Sequence, residues 1–234
     1  VMRRTKEDVV HEHSALDLPT LRVKNIKLKI KEQNEEDLKE DLETRDFSSL
    51  ELILRRKQLS IAPQIYLNGV SKKFKEPHQQ WSGKNRKFDF IIKKIRTQLE
   101  QDNRIIVFTT FNFEISYLTE NLKKHDIKVD HINGSIPQED RKSIIADDTI
   151  QVLLVQIDCG GTGLNLQKYN IAYFTSPTWN PSLEDQAVAR LYRIGQKKEV
   201  EIYRVTLSNS IDKYINFVQK IKRKIIKQHI ISSY

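Results

Sequence analysis

Residues 152–174 read VLLVQIDCGGTGLNLQKYNIAYF and hold the clearest structural signal in this chain of 234 residues. Two short apolar runs, 152–156 and 171–174, enclose a segment with three of the chain's seven glycines. Short apolar runs bounded by turn-forming residues are typical of buried strands in a parallel sheet. Glycines after such a strand let backbone amides approach a ligand closely, and phosphate is the usual one. A tight turn without a ligand would need the same glycines, so both interpretations stand.

The same pattern extends in both directions from this stretch. Further β-rich runs lie at 105–108, 129–132 and 200–205, and segments with helical spacing lie at 88–99, 112–125, 137–147 and 182–194. Strands that alternate with helices indicate a parallel sheet covered by helices on both faces. We therefore predict an α/β fold.

The regions outside this alternation have a different character. A cap at Ser48 or Ser49 predicts the start of a helix that Pro63 ends, and the polar residues 66–87 predict a loop. A basic amphipathic helix is predicted after Ser210. The predicted units are a connector at 1–31, a mostly helical linker region at 32–84, the α/β lobe at 85–207 and the C-terminal helix at 208–234.

The chain carries 40 lysines and arginines against 31 acidic residues, a formal net charge of +9. Such a surplus is typical of proteins that bind nucleic acid, although solvated helix faces would give the same sum. The hydrophobic content of 38% is sufficient for a core, and no apolar run reaches the roughly 20 residues that cross a membrane. The single cysteine, Cys159, excludes an internal disulfide and favours a reducing compartment.

A second candidate site lies on the helix predicted at 182–194. Ser182 stands at capping-box spacing from Asp185, which predicts the start of the helix at this serine. Helical periodicity gives the helix a narrow apolar stripe that can pack on the sheet. The residues of this stripe are Ala187, Leu191 and Ile194.

A neighbouring stripe of the same predicted helix holds Gln186, Arg190 and Arg193, at positions i, i+4 and i+7. Two guanidinium groups and an amide on one side form an array that suits phosphate oxygens. An ordinary solvated helix face would carry the same residues, so phosphate binding here is a hypothesis.

Several familiar catalytic patterns are absent from the sequence. It has no G-x-x-x-x-G-K-[ST] phosphate loop, no Asp-Glu pair at the end of a strand to hold magnesium, and no G-x-S-x-G elbow. A nicotinamide-dependent dehydrogenase would need its glycines after the first strand of the unit, whereas here they follow the third. His11 and His13 lie in a polar segment, and no metal site is predicted.

Three blocks of sequence stand at distinctive spacing: GGTGLNL at 160–166, WNPSLEDQA at 179–187 and RLYRIGQ at 190–196. Together they resemble helicase motifs V and VI of the Swi/Snf family of DNA-dependent ATPases. RIIVFTTF at 104–111 looks like motif IV, and Asn133-Gly-Ser followed by Arg141 looks like the family's Asp-Gly-Ser block. MRRTKED at 2–8 and LRRKQLSIAP at 54–63 are similar to the segment that leaves the first RecA-like lobe and to the linker helix before the second.

This resemblance implies that the chain is the second RecA-like lobe of a motor, cut from a longer protein whose first lobe holds the phosphate-loop lysine and the magnesium-binding acids. Arg190 and Arg193 would act as arginine fingers on the γ-phosphate of ATP, while Gln186 positions that phosphate or the attacking water. The implied ATP-binding residues are Gly161, Gly163 and Asn165. The implied contacts to the DNA backbone come from Thr109 or Thr110, Ser135, Thr162 and Trp179.

The resemblance also implies partners and a cofactor. ATP with Mg²⁺ is the expected cofactor, and the first lobe would supply most of the metal's ligands. The expected partners are the first lobe and double-stranded DNA, contacted through its backbone without sequence preference. A nucleosome or another DNA-bound complex stays open as a further partner, and no membrane is expected. The expected location is the nucleus, or the nucleoid or cytoplasm for a bacterial or viral source.

The predicted function is the second motor lobe of an ATP-dependent double-stranded-DNA translocase of the chromatin-remodelling or repair type, inactive without the first lobe. The alternative is a non-catalytic DNA-binding or scaffolding module that keeps the RecA-like fold. Three positions depart from the family pattern: Ser176 and Asn133 replace aspartates, and Ala189 stands where a polar or acidic residue is usual. Because Gln186 and both arginines are present, these departures point to changes in rate or regulation.

Overall fold

A computed structural model describes residues 18–29, 33–159 and 163–231, without the side chains of 33–35 and 229–231. Six parallel strands form one sheet in the order β1-β6-β5-β2-β4-β3. The strands are β1 (Leu21–Leu28), β2 (Ile105–Thr109), β3 (Val129–Ile132), β4 (Val152–Gln156), β5 (Ile171–Phe174) and β6 (Val200–Leu207). The predicted α/β fold with a parallel sheet is confirmed.

Helices cover both faces of this sheet. The described residues include α1 (Gln33–Thr44), α2 (Ser49–Ile61), α3 (Pro63–Phe74), α4 (Arg86–Leu99), α5 (Asn112–Lys123), α6 (Gln138–Ala146), α7 (Pro181–Leu191) and α8 (Ile211–Ile231). Apolar side chains of α3, α4 and α5 pack on one face, and those of α6 and α7 pack on the other. Burial on both faces explains why the strands are apolar almost throughout.

The predicted connector at 1–31 contributes an edge strand to the sheet. All eight residues of β1 pair in parallel with β6. The Lys24 ammonium donates to the Glu201 carboxylate and to the Tyr203 hydroxyl, the latter at 3.0 Å. The alternation of lysines with apolar residues in this segment is therefore that of a strand with one solvated side. Residues 1–17 of the predicted connector lie outside the described residues.

Helices α1, α2 and α3 form a smaller helical unit beside the sheet. Ser48, one of the two predicted caps, begins α2 with a capping box. Its hydroxyl accepts the Glu51 N–H at 3.4 Å, and the Glu51 carboxylate accepts the Ser48 N–H at 3.0 Å. Hydrogen bonds from Lys73 and Ser48 lower the pKa of Glu51 to about 2.

The chain continues from α2 into α3 almost without a break. Pro63 follows α2 and also takes the first position of α3, where the missing N–H of proline costs nothing. The loop predicted at 66–87 is therefore wrong for residues 66–74, and also for 86–87, which begin α4. Tyr66 and Val70 lie one helical turn apart and face a small core between the three helices.

A buried aspartate joins this helical unit to the sheet. The Lys87 ammonium of α4 lies 2.7 Å from the Asp212 carboxylate of α8, and these side chains are 1% and 0% exposed. Asp212 also accepts the Leu207 N–H at 2.8 Å and the Ser60 hydroxyl at 3.1 Å. One carboxylate therefore connects α2, α4, α8 and the end of β6.

A second buried lysine, Lys57 of α2, lies near this pair without a partner of its own. Its side chain is buried, yet no carboxylate of the described residues lies within ion-pair distance of its ammonium. Burial lowers the pKa of Lys57, and the charges of Glu114 and Asp212 offset this effect only in part. The charged ammonium therefore destabilises the folded state.

Replacing Lys57 with methionine should stabilise the chain by roughly 1–2 kcal/mol at neutral pH, because the change removes a buried charge and keeps the length of the side chain. The folded-state pKa of Lys57 lies below the ordinary value of 10.5, so the unfolded state binds the proton more tightly. Wild-type stability should therefore rise as the pH increases from the folded-state pKa towards 10.5, and Lys57→Met should lose this rise.

Thermal unfolding at neutral and alkaline pH measures both effects. Lys94→Met, at an exposed position of α4, controls for the loss of a lysine and should leave the melting temperature nearly unchanged. A lower melting temperature for Lys57→Met than for the wild type would show that the ammonium stabilises the fold.

Candidate functional site

The carboxyl ends of the parallel strands meet at one edge of the sheet, where polar loops follow β2, β3 and β4. Gln156, the last residue of β4, joins the other two loops. Its Nε2 donates to the Thr110 carbonyl at 3.3 Å, and its Oε1 accepts the Gly134 N–H at 3.3 Å. Asn133 Oδ1 accepts the N–H of Ser135 at 3.1 Å and its hydroxyl at 2.7 Å, a turn that aspartate would make equally well. Ser135 is exposed at this edge.

The two candidate threonines at the end of β2 have different environments. The Thr109 side chain is 1% exposed, and its hydroxyl donates to the Val155 carbonyl at 3.4 Å. The prediction that left Thr109 open as a DNA contact is corrected, because this residue belongs to a strand buried on both faces. Thr110 is partly exposed, and its hydroxyl lies 3.2 Å from that of Ser176 in the loop after β5.

Glu114 fixes the backbone of the loop after β2. This fully buried carboxylate accepts the N–H groups of Thr110 and Phe111 at 2.7 and 2.8 Å, which satisfies the start of α5. Burial raises the pKa of Glu114, and the hydrogen bonds that it accepts oppose this shift. The buried carboxylate of Glu114 therefore fixes the backbone position of Thr110.

The glycine-rich segment after β4 is described in part. Gly161 and Thr162 lie outside the described residues, so their roles stay predictions. Gly163 is exposed and has a φ of +66°, a conformation that side chains other than glycine's rarely adopt. Asn165 is exposed, and its Oδ1 accepts the Gln167 N–H at 3.3 Å.

The helix that carries the arginines, α7, has different ends from those predicted. Asn180 caps it by accepting the Ser182 N–H at 3.1 Å, and Pro181 takes the first helical position. The capping box predicted at Ser182 is therefore wrong. The helix ends at Leu191, so Ile194 is 66% exposed and does not extend the apolar stripe as predicted.

Arg190 and Arg193 do not share one helical stripe with Gln186. Arg190 lies in the last turn of α7, whereas Arg193 lies in the turn that follows. The predicted stripe is wrong because the backbone leaves helical geometry at Tyr192, with φ −98° and ψ 88°. Gln186 and Arg193 are exposed and Arg190 is partly so, and no described residue forms an ion pair with either guanidinium.

Buried Gln196 holds the turn that carries Arg193. Its Nε2 donates to the Gln167 carbonyl at 2.9 Å and to the Leu191 carbonyl at 3.1 Å. Gly195 has a φ of +98°, and a Cβ there would lie 3.2 Å from the Gln167 Nε2. The conformation of this turn therefore favours glycine at position 195. The hydrogen bonds of Gln196 fix the backbone from which the Arg193 side chain extends.

The candidate residues form two groups on the lobe. Helix α7 connects the carboxyl end of β5 with the amino end of β6, so its arginine end lies away from the edge that holds Thr110 and Ser135. The contact of Gln196 with the carbonyl of Tyr169, just before β5, agrees with this direction. Trp179 lies at the carboxyl edge in the loop between β5 and α7 and is half-buried. The lobe thus offers guanidinium groups on one side and hydroxyls, amides and an aromatic ring along the other.

Sequence reasoning assigned no role to the side chains that hold these loops. Gln156, Gln196 and Glu114 are single polar residues at the ends of elements, and no periodic pattern distinguishes them. The motif RLYRIGQ, which includes Gln196, was the one available signal.

The donors of the site include two guanidinium groups, which in general bind phosphate oxygens through parallel N–H bonds. Within the ranges 18–29, 33–159 and 163–231, no three His, Cys, Asp or Glu residues come together as a possible metal site. Among the same residues, no helix has the length and apolar content to cross a membrane.

Sequence comparison finds related proteins for this chain. The family described as helicase conserved C-terminal domain matches residues 86–195. The chain is 30% identical to DNA repair protein RAD5 of Saccharomyces cerevisiae over 175 residues, which cover 69% of the chain and 15% of RAD5. It is 26% identical to an uncharacterized ATP-dependent helicase of Mycoplasma pneumoniae, over 99% of the chain and 22% of that protein. The chain thus spans less than a quarter of the length of either relative.

Structure comparison adds a solved protein with the same fold. The crystal structure of the C-terminal part of the Fun30 ATPase domain matches with a TM-score of 0.70. The match covers 86% of this chain and 90% of that chain, at 17% sequence identity. At this identity the similarity shows a shared fold, which is that of a RecA-like lobe.

Proposed function

Because the chain belongs to the Swi/Snf family of DNA-dependent ATPases, as a C-terminal RecA-like lobe, we propose that it is the second motor lobe of a double-stranded-DNA translocase of the chromatin-remodelling or repair type. The observation that carries this proposal is the pair of accessible arginines, Arg190 in the last turn of α7 and Arg193 in the next turn, which Gln196 fixes. No described residue forms an ion pair with either of them. Fixing a surface turn costs conformational entropy, and a role in binding phosphate explains why it is fixed.

On the nucleotide side, Arg190 and Arg193 would contact the γ-phosphate of ATP and stabilise the charge that develops during its transfer. Gln186, one turn earlier on α7, would orient the phosphate or the attacking water. Mg²⁺ neutralises phosphate charge when bound, and its ligands would come mainly from a first lobe. The segment after β4 shares an apolar core with α7. Gly161, Gly163 and Asn165 of this segment are the proposed ATP-binding residues, and the segment would connect the nucleotide side to the DNA side.

On the DNA side, the carboxyl edge would follow the phosphate backbone. Hydroxyls and backbone amides bind phosphate oxygens without reading bases, so we expect little sequence preference. Thr110 and Ser135 are accessible there, and Trp179 would lie against one strand. Thr162 completes the proposed set. The net charge of +9 would add long-range attraction to DNA.

The proposed partners follow from this division of labour. A first RecA-like lobe would supply the phosphate-loop lysine, and also the metal ligands, which the described residues of this chain do not bring together. Duplex DNA is the proposed substrate, bare or within a nucleosome or another complex. A DNA-bound motor would work in the nucleus, or at the nucleoid of a cell without one.

The isolated chain should bind duplex DNA weakly, with a Kd of about 10⁻⁶–10⁻⁴ M at physiological salt, and should hydrolyse no ATP because it lacks the phosphate-loop lysine. Thr110→Val should weaken binding by roughly two- to tenfold through the loss of one hydroxyl contact. Fluorescence anisotropy with a labelled duplex, repeated at several salt concentrations, measures both values. Thr109→Val is the matched control, since it removes the neighbouring hydroxyl that points into the lobe.

The outcomes separate the two candidate functions. DNA-stimulated ATP hydrolysis by a two-lobe protein that contains this chain would support the motor. DNA binding without turnover by that protein would favour the non-catalytic module. ATP hydrolysis by the isolated chain, or an equal effect of the two threonine variants on binding, would contradict the proposed roles.

A further inference from the structure

Helix α8 holds the loop between β5 and α7 through polar side chains on one of its faces. Gln219 Nε2 donates to the Thr178 carbonyl at 2.6 Å, and Lys222 Nζ donates to the Trp179 carbonyl at 2.8 Å. The next residue, Arg223, donates to both carboxylate oxygens of Asp185 at 2.7 and 2.6 Å. Asp185 lies in the first half of α7. These three residues stand at i, i+3 and i+4, so they contact the loop and α7 side by side.

The buried centre of this contact is the carboxylate of Glu184, which is 1% exposed. It accepts the Thr178 N–H at 3.0 Å and the Arg204 Nε–H at 3.0 Å. Gln219 is also buried, and its Nε2 donates to Glu184 Oε1 at 2.5 Å. One amide nitrogen of α8 therefore bonds both to the loop backbone and to the first turns of α7.

These bonds determine the direction in which α7 starts. The loop 178–180 has no regular structure, so its backbone groups depend on side chains for hydrogen bonds. Helix α7 has 11 residues and is thus about 16 Å long, so a small tilt at its first turn displaces the arginine at its far end. The contact with α8 therefore affects Trp179 and Arg190 together.

Hydrophobic packing alone does not explain how α8 contacts the rest of the lobe. The helix turns Asp212 and Gln219 inward, while Tyr214, Phe217 and Ile221 are 58%, 59% and 44% exposed. Burying polar groups is costly unless each finds a partner, and it contributes geometry more than strength. Ile215 is also fully buried, so α8 is attached by apolar packing together with buried polar side chains that fix its contacts.

We propose that Gln219 is a positioning residue: through Thr178 and Glu184 it sets the placement of Trp179 and the direction of α7, and so of Gln186 and Arg190. The inference rests on the nucleotide and DNA roles proposed above for those residues. Gln219 itself touches neither ligand. Helix α8 is thereby the element through which a change at the C-terminal surface of the lobe would alter the motor site.

The test compares Gln219→Met with Gln219→Lys in the 234-residue chain. Methionine keeps the length of the side chain and removes both donated bonds, whereas lysine can donate to Thr178 and to Glu184 again. Lys224→Met, on an exposed position of α8, is the control for a change on the same helix. Hydrogen exchange is measured by mass spectrometry, followed by duplex-DNA binding and by ATP hydrolysis in a two-lobe protein.

Gln219→Met should speed amide exchange in residues 178–191 by about tenfold or more, because a buried carboxylate loses a donor, and should leave exchange in β2 and β4 unchanged. It should lower kcat for ATP more than it changes KM, and weaken DNA binding several-fold. Gln219→Lys should restore all three values towards those of the wild type. Lys224→Met should match the wild type.

Three results would overturn the proposal. One is unchanged exchange in 178–191 for Gln219→Met. Another is faster exchange across the whole sheet, which would show a general structural role. The third is wild-type kcat in spite of faster local exchange. If the wild-type proteins bind no DNA and hydrolyse no ATP, the function proposed above is wrong. The hydrogen-exchange rates still test whether Gln219 holds the loop, because they do not depend on activity.

Discussion

Arg193→Ala should lower DNA-stimulated ATP hydrolysis by about 10³–10⁵-fold in a two-lobe protein that contains this chain. A guanidinium on the γ-phosphate stabilises charge that exists only in the transition state, so its loss should appear in kcat. DNA affinity should stay near the wild-type value, because Arg193 lies away from the carboxyl edge of the sheet. Steady-state hydrolysis with and without duplex DNA measures the first effect, and anisotropy measures the second.

Arg96→Ala is the matched control for this experiment. Arg96 is also an exposed arginine near the end of a helix, but α4 packs on the other face of the sheet. The Arg96→Ala variant should therefore hydrolyse ATP at the wild-type rate. Turnover that survives Arg193→Ala, or that falls equally for both variants, would disprove the assignment of Arg193 to the phosphate. Arg193→Lys separates the effect of charge from that of geometry, because lysine keeps the positive charge but cannot donate two parallel hydrogen bonds.

Asp212→Ala should destabilise the lobe by about 3–5 kcal/mol, because it leaves the buried ammonium of Lys87 without its counter-charge. The same change removes the acceptors of the Leu207 N–H and the Ser60 hydroxyl. For a chain of this size, the loss corresponds to a fall of roughly 6–20 °C in melting temperature. Thermal unfolding followed by circular dichroism measures the change.

Asp102→Asn is an informative control because Asp102 forms an ion pair of the same length, and asparagine tolerates the positive φ of 53° at this position as aspartate does. The Lys198–Asp102 and Lys87–Asp212 pairs both measure 2.7 Å, but the Asp102 side chain is 99% exposed. The loss of its charge should have almost no effect on stability, since solvent screens the pair. The double variant Lys87→Met with Asp212→Leu should recover much of the lost stability. Similar effects of the two aspartate variants would contradict the account based on burial.

The central strands could be predicted from the sequence because burial on both faces requires continuous apolar runs. Strand β1 could not be recognised as part of the sheet in this way. It is an edge strand in which lysines alternate with apolar residues, and its partner is remote: Lys24 pairs with Tyr203, 179 residues further along the chain. Local patterns carry no information on such a pairing. Helix α3 was missed for a related reason, because most of its apolar residues face a small core formed with two other helices.

The candidate site was predictable in its residue types and less so in its geometry. The motif around Arg190 and Arg193 could be identified from its residue types and their spacing, which do not depend on the exact backbone conformation. The common helical stripe could not, because the helix ends where Gln196 accepts and donates bonds across the turn. The choice between Thr109 and Thr110 likewise depended on where β2 ends, and one residue decides which hydroxyl reaches the surface.

The pairing of β1 with β6 also has a consequence for synthesis of the protein on the ribosome. The first strand of the sheet emerges early, but its neighbour is the last strand to leave the exit tunnel. Until then the hydrogen-bonding groups of β1 have no partner within the sheet, and an unpaired strand can associate with other nascent chains. The lysines of β1 would keep such chains apart during this interval.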